Sequence, residues 1–212
     1  MNFLSVASMI LGAVGAVGQT NIKRLLAYSS IANIGFALVG LAAATEQGIG
    51  ALLFYTSVYL AMTLGSFLIV LQLRRADGRP VELIADLAGL SKTSPALAWG
   101  LLIFMLSLAG IPPLLGFWPK FAVFQAAIAA GLIPLAIIGF IASVVAAFYY
   151  LRLIKVMFFD EPGVPAISDG GLTNGALIAV AALFCSPIGM LAITPLVAAT
   201  GRAAAALYTV AG

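Results

Sequence analysis

The sequence predicts an all-α protein, a polytopic transmembrane helix bundle of about six spans with one proline-broken helix. Three observations carry that expectation. The 212 residues are 63% hydrophobic and 8% charged, with a mean hydropathy of +1.17, a composition suited to hydrocarbon rather than water. The charged residues gather at the ends of long apolar runs instead of being spread along them. One run, too long for a single span, is interrupted by Pro112, Pro113 and Pro119 and carries Lys120, and proline removes a backbone donor from the helical ladder.

The elements follow in order from run length and punctuation. The first span covers 2–18; no basic residue precedes its apolar stretch, so it reads as a span rather than a cleaved signal. Gly12, Gly15 and Gly18 recur in it every three residues, the pattern of close helix packing. The second opens near Asn21 and runs through 25–43, and the third covers 50–73. A loop of mixed charge follows, in which 81–90 has the pattern of a short surface helix. The fourth span, broken between about 109 and 115, covers 95–131 and the fifth 132–159. A Pro- and Gly-rich stretch, 160–165, reads as an irregular linker. The sixth span covers 172–193. The Ala-rich tail 195–212, with Arg202 inside it, reads either as an interfacial helix or as an extension of that span. The domain division expected is therefore a membrane domain over 1–194 and a tail over 195–212.

Composition also excludes function classes. The net charge of +3 is no nucleic-acid footprint, because the basic residues do not gather into a patch with aromatics. The chain has no histidine, so the commonest metal ligand and proton shuttle is missing. Its single cysteine, Cys185, lies in an apolar run, which leaves no disulfide framework and no cysteine metal site.

Lys23, Arg24, Arg74, Arg75, Arg79, Lys92, Arg152 and Lys155 fall on one side of the six-span topology, eight of the ten basic residues. The connections on the other side, 44–49 and around Gly131, carry only Glu46. Excess Lys and Arg mark the cytoplasmic side, so both ends of the chain are expected on the outer side. Lys120 belongs to neither side. A charge at the centre of a span costs roughly 2.5–3.5 kcal/mol on insertion scales and normally faces a polar cavity on an ion or proton path. The alternative, a lysine snorkelling to the headgroups, fits poorly with a position deep in the fourth span. Removing such an amine relieves a desolvation cost, so little loss of stability is expected from Lys120→Ala.

A second constellation opens the second span. After Lys23 and Arg24 it places Tyr28, Ser29, Ser30 and Asn33 within the membrane, with Asn33 about one turn from the two serines. Tyr55, Thr56, Ser57, Tyr59 and Thr63 add hydroxyls on the third span. These residues either hold helices together by hydrogen bonds or line the hydrated route that a midplane lysine would need. Tyr28, Ser29, Ser30, Asn33 and Tyr59 are the candidate lining.

The run Gln19-Thr-Asn-Ile-Lys-Arg-Leu-Leu-Ala-Tyr-Ser-Ser-Ile, followed by Leu108-Ala-Gly-Ile-Pro-Pro-Leu-Leu-Gly-Phe-Trp-Pro-Lys-Phe, resembles the antiporter-like membrane subunits of respiratory complex I. Asn21, Lys120 and the ending Tyr149-Tyr-Leu-Arg-Leu-Ile-Lys-Val-Met-Phe-Phe-Asp-Glu-Pro make the N-type subunits of NADH-quinone oxidoreductase the most similar group. The resemblance runs over essentially the whole chain. It implies an antiporter-like fold in which this chain corresponds to the second of two inverted five-helix repeats plus the last helix, with the first repeat absent.

The resemblance also implies roles. Lys120 matches the proton-exchanging lysine of the second broken helix. Lys23 matches the lysine opening a helix near the cytoplasmic side, a secondary position on the proton path. Asn33 and Tyr59 stand where sister subunits often carry histidines, which leaves water as the connector. Pro119 stands where a small residue is usual. The implied activity is that of a translocase subunit of a proton-pumping NADH:quinone oxidoreductase, with no redox chemistry in this chain. NADH, FMN, iron–sulfur clusters and quinone are expected in partner subunits. The implied partners are M-, K- and J-like membrane subunits, the lipid bilayer and protons, with no nucleic acid, in a bacterial inner membrane. Charge movement in those partners would switch Lys120 between protonated and neutral. Two other readings stay open: a subunit of a multi-subunit cation/proton antiporter, and a structural membrane fragment without transport of its own.

Overall fold

Helix α1 (Asn2–Val17) runs antiparallel against α2 (Ile22–Ala42) because their backbones can touch. A Cβ on Gly12 would stand 2.7 Å from the Tyr28 carbonyl oxygen, and one on Gly35 would stand 2.7 Å from the Met9 nitrogen. Ser5 Oγ crosses the gap to donate to the Gly35 carbonyl at 2.8 Å. Of the three-residue glycine repeat, Gly12 and Gly15 are packing positions, the latter against the Tyr28 ring, whereas Gly18 faces open space. The computed structural model describes residues 1–161, 163, 165–168 and 170–211, with side chains to 208.

Asn21 caps α2, its Oδ1 accepting from the Lys23 and Arg24 amides, which satisfies two of the orphan donors of the first turn. Thr45 caps α3 (Glu46–Gln72) through the Gly48 amide, so the third helix begins at 46 rather than 50. Its 27 residues span about 40 Å, longer than the ~30 Å hydrocarbon core. Helix α3 is the hub of the bundle, packed on α2 and on four helices that follow it in the chain.

At the basic end the loops are tied together. Strand β1 (Leu73–Arg75) pairs antiparallel with β2 (Ala166–Ser168), Leu73 opposite Ser168 and Arg75 opposite Ala166. This small ribbon is the departure from an all-helical chain. The linker expected at 160–165 leads into β2, with residues 162 and 164 outside the described set. The surface helix expected over 81–90 does not form. The stretch is instead a 3₁₀ turn at Ile84–Leu87 and a one-turn α4 (Leu90–Thr93), separated by Gly89 at φ +67°. Val81, Ile84, Leu87 and Leu90 are buried, so the segment plugs the end of the bundle rather than lying on it. Asp86 holds its turn by accepting from the Glu82 and Leu83 amides and pairing with Arg75 at 3.1 Å.

The fourth span is two half-helices, α5 (Pro95–Ala109) and α6 (Phe117–Ala129). Helix α7 (Ile133–Phe159) returns along α1 and α5 to the basic end. There Arg152 donates to the Val17 carbonyl at the end of α1, Lys92 pairs with Glu161, Lys23 with Glu82, and Lys155 with Asp160.

The single sixth helix expected over 172–193 is overturned. Helix α8 (Leu172–Cys185) stops where Ser186 turns extended (ψ 176°) ahead of Pro187, the conformation a residue before proline prefers. A 3₁₀ segment, Pro187–Ala192, then leads into α9 (Ile193–Ala211). Helix α8 lies near Gly100 of α5, and α9 lies against the opposite end of α3, near Gly50, where Tyr208 Oη donates to the Ala44 carbonyl. Most of the tail 195–212 is therefore helical, with Thr200 and Ala204 buried, and residue 212 lies outside the described set. Among the described residues four helices are long and apolar enough to cross a membrane: α2, α3, α7 and the run Pro187–Tyr208. Helices α1, α5 and α8 are shorter apolar helices.

Candidate functional site

The break in the fourth span has a local cause. Gly110 takes a left-handed conformation (φ +80°, ψ 41°) and closes α5, with the Gly110 and Ile111 amides returning to Ser107 and Leu106 carbonyls. In an unbroken helix the carbonyls of Leu108 and Ala109 would accept from the amides four residues on, at positions 112 and 113. Both are prolines and have no N–H to give. The paired prolines thus strip two adjacent carbonyls of their donors, in a region where an unpaired carbonyl has no water to turn to.

Lys120 supplies the missing donor. Its Nζ lies 3.1 Å from the Leu108 oxygen and 3.3 Å from the Ala109 oxygen, and 3.1 Å from Ser143 Oγ on α7. Only 6% of the residue is exposed. An ammonium has three N–H donors and no acceptor, so three acceptors match it. The Phe36 ring of α2 lies beneath the amine, 4.8 Å from Nζ to the centroid, within cation–π range. No carboxylate is among these partners: the charge is held by the carbonyl end of α5, a hydroxyl and a ring face, and a helix C-terminus favours a cation.

The chain around the lysine is fixed by the same break. The Gly116 amide donates to Ser107 Oγ at 3.0 Å, and the Leu115 amide to the Cys185 carbonyl at 3.2 Å. A Cβ on Gly110 would stand 3.2 Å from Nζ, so the glycine also leaves room for the amine. Pro119 falls in the first turn of α6, where amides have no intrahelical acceptor. Its missing N–H therefore removes no helical hydrogen bond.

A second polar cluster joins α2, α3 and α7. Ser29 Oγ and Tyr150 Oη are 2.5 Å apart. Asn33 Nδ2 donates to the Ser29 carbonyl at 2.8 Å and lies 3.2 Å from Tyr150 Oη, while Tyr55 Oη donates to Asn33 Oδ1 at 2.8 Å. All four residues are buried, Asn33 to 1% exposure. Along α2 the cluster lies between Lys23 at the basic end and Phe36 beneath Lys120. The thirteen steps along the helix from Lys23 to Phe36 cover about 20 Å at 1.5 Å each.

Of the residues picked from the sequence, Ser29, Asn33 and Tyr55 meet in this cluster, and buried Tyr59 stands one turn beyond Tyr55 on the same helix. The others do not join it. Tyr28 turns to α1 against Gly15, and Ser30, Thr56 and Ser57 donate to their own helix carbonyls. Lys23 sits at the basic end, 3.4 Å from Glu82, and is not brought to Lys120. Sequence reasoning missed Tyr150 and Ser143. The available signal for Ser143 was that it is the lone polar side chain in the apolar run 133–148. Among the described residues no group of three or more Cys, Asp or Glu side chains stands together as a metal site.

Comparison with known proteins places this geometry in context. Residues 1–146 match the transmembrane family described as NADH:quinone oxidoreductase/Mrp antiporter. NADH-quinone oxidoreductase subunit N of Rhizorhabdus wittichii is 58% identical over 207 residues, 96% of this chain and 42% of that protein. The subunit N of Azorhizobium caulinodans is 58% identical over 98% of this chain and 43% of its own length. Among solved structures, a chain of respiratory complex I from Thermus thermophilus aligns with a TM-score of 0.80 and 32% identity, over 92% of this chain and 44% of that one. A chain of the Mrp complex from Dietzia sp. aligns with a TM-score of 0.84 and 26% identity, over 98% of this chain and 46% of that one. The chain therefore spans less than half the length of each of these relatives.

Proposed function

Since the chain belongs to the NADH:quinone oxidoreductase/Mrp antiporter transmembrane family, we propose that it serves in the membrane arm of a proton-pumping NADH:quinone oxidoreductase. In this reading it is part of an N-type subunit and contributes a proton path through Lys120. The observation that carries the proposal is the amine itself: it is buried at a helix break, held by two donor-less carbonyls and a hydroxyl, with no carboxylate to fix its charge. An intramembrane amine without a carboxylate partner is the kind of group that marks an ion or proton path. The buried cluster of Ser29, Asn33, Tyr55 and Tyr150 lies on the way from the basic end to the amine and supports a hydrogen-bonded approach from that side. Lys23 is the entrance group of that approach, Tyr59 continues its lining, and Tyr28 and Ser30 flank it.

The basic end, which carries eight of the ten Lys and Arg residues, faces the cytoplasm in this proposal, and the assembly sits in a bacterial inner membrane. The energy comes from redox chemistry in partner subunits, which hold NADH, FMN, iron–sulfur clusters and quinone. The M-, K- and J-like membrane subunits are the neighbours whose charge movements would switch Lys120. The test is proton translocation per NADH oxidised in native membrane vesicles. Lys120→Ala is expected to lower that ratio while NADH oxidation persists; an unchanged ratio would remove Lys120 from the path and leave the amine a structural group.

A second reading is favoured by the backbone similarity to the Mrp chain: a subunit of a multi-subunit cation/proton antiporter. It predicts cation-driven proton flux without NADH, in the same vesicles.

A further inference from the structure

The three partners of Lys120 are not equivalent. The Leu108 and Ala109 carbonyls can only accept, whereas a serine hydroxyl both accepts and donates and its proton rotates to suit. With the amine protonated, three N–H groups meet three acceptors. With the amine neutral, two N–H groups and one lone pair remain. The two carbonyls still match the two N–H groups, and the lone pair needs a donor. Ser143 is the one partner of the three that can become it. Ser143 is also half-buried, while Lys120, Leu108 and Ala109 are buried, so it stands on the side of the amine nearer the surface of the chain.

We propose that Ser143 is the relay through which Lys120 gains and loses its proton. This rests on the reading of Lys120 as a proton-exchanging group. On release, an Nζ–H bond breaks and its electron pair stays on nitrogen. Ser143 Oγ takes that proton as its own hydroxyl proton passes to a water molecule, which leaves as hydronium. The new Ser143 O–H bond already points at the amine and donates to its lone pair. One ammonium, one hydroxyl and one water become one amine, one hydroxyl and one hydronium, and uptake is the reverse. The same residue serves both states, so the broken helix need not repack between them.

Ser143→Val and Ser143→Thr separate chemistry from packing, being near-isosteric with and without the hydroxyl. In native membrane vesicles, Ser143→Val is expected to lose most of the NADH-driven proton translocation that Lys120→Ala loses, and to move the inflection of that flux against pH. Ser143→Thr is expected to keep both near wild type. NADH oxidation reports that the assembly is intact, and Ser143→Ala takes the place of the valine variant if the latter does not assemble. A hydroxyl-free variant with wild-type flux and pH profile, beside an impaired Lys120→Ala, would overturn the relay and leave the role of Lys120 standing. Lost flux with an unmoved inflection would also overturn it, because packing alone would then account for the loss. Wild-type flux in Lys120→Ala would instead bring down the underlying reading.

Discussion

Lys120 and the two carbonyls it serves form one unit, and that changes what removing the lysine should do. From the sequence alone, deleting a buried amine only relieves a desolvation cost. With Leu108 and Ala109 stripped of helical donors by Pro112 and Pro113, deletion also leaves two acceptors unpaired, at about 1–3 kcal/mol each. The two effects oppose each other, so Lys120→Ala is expected to fold with a modest loss of stability. Lys120→Arg is the sharper probe. A guanidinium stays protonated and presents a planar fork instead of three divergent N–H groups, so it should satisfy the carbonyls yet fail to cycle. Vesicles carrying it should oxidise NADH but translocate no more protons than the alanine variant; full pumping would mean that the charge at 120 never changes. In the second cluster, Tyr55→Phe removes the donor to Asn33 Oδ1. Hydrogen bonds between membrane helices average about 0.6 kcal/mol, and an orphaned buried acceptor adds to that. A destabilisation of roughly 1–2 kcal/mol is expected in thermal unfolding in detergent. No change would show that water already replaces the phenol.

At the scale of elements, the α1–α2 pair depends on backbone approach rather than on side-chain fit. Gly12→Val puts branched carbon against the Tyr28 carbonyl and Ala32, and overpacking of this kind costs typically 1–3 kcal/mol. The variant should unfold at lower temperature, whereas Gly18→Val, facing open space, should not; equal effects would place the packing elsewhere. The limits of α1, α2 and α7 were legible because apolar run length and caps such as Asn21 are local. The break before α6 was legible because Gly110, Pro112 and Pro113 each act on their own backbone. The break after α8 was not, since 172–193 is apolar on both sides of a single Ser186–Pro187 step. Nor was the β1–β2 ribbon, where three residues a side are held by tertiary contact and not by propensity.

Taken as a whole, the molecule has one basic end and an interior in which one polar cluster, Ser29, Asn33, Tyr55 and Tyr150, joins three helices. The candidate site was half legible for a physical reason. These helices are apolar all round, so no periodicity tells which face meets which. Lys120, Ser29 and Asn33 stood out by chemistry alone, but Tyr150 and Ser143 matter only because α7 turns them toward α2 and α6. Charge placement, by contrast, is a property of the whole chain and was readable at once: the ion pairs Lys92–Glu161 and Lys23–Glu82 join loops far apart in sequence at that end. Exposed pairs of this kind contribute little, about 0–1 kcal/mol each.

The amide–carbonyl link from Leu115 to Cys185 joins the interruption of one span to the interruption of another, and it makes the chain's single thiol a gauge of the first. Cys185 is buried at that junction. In native membranes it should resist a small permeant maleimide. Gly116→Ala, whose added methyl would press on the Ser107 carbonyl, should loosen the junction and speed alkylation at Cys185, a residue the substitution does not touch. Equal labelling rates in the two proteins would mean that the interruptions yield separately. A faster rate would show that the two interruptions loosen together, without any engineered cysteine.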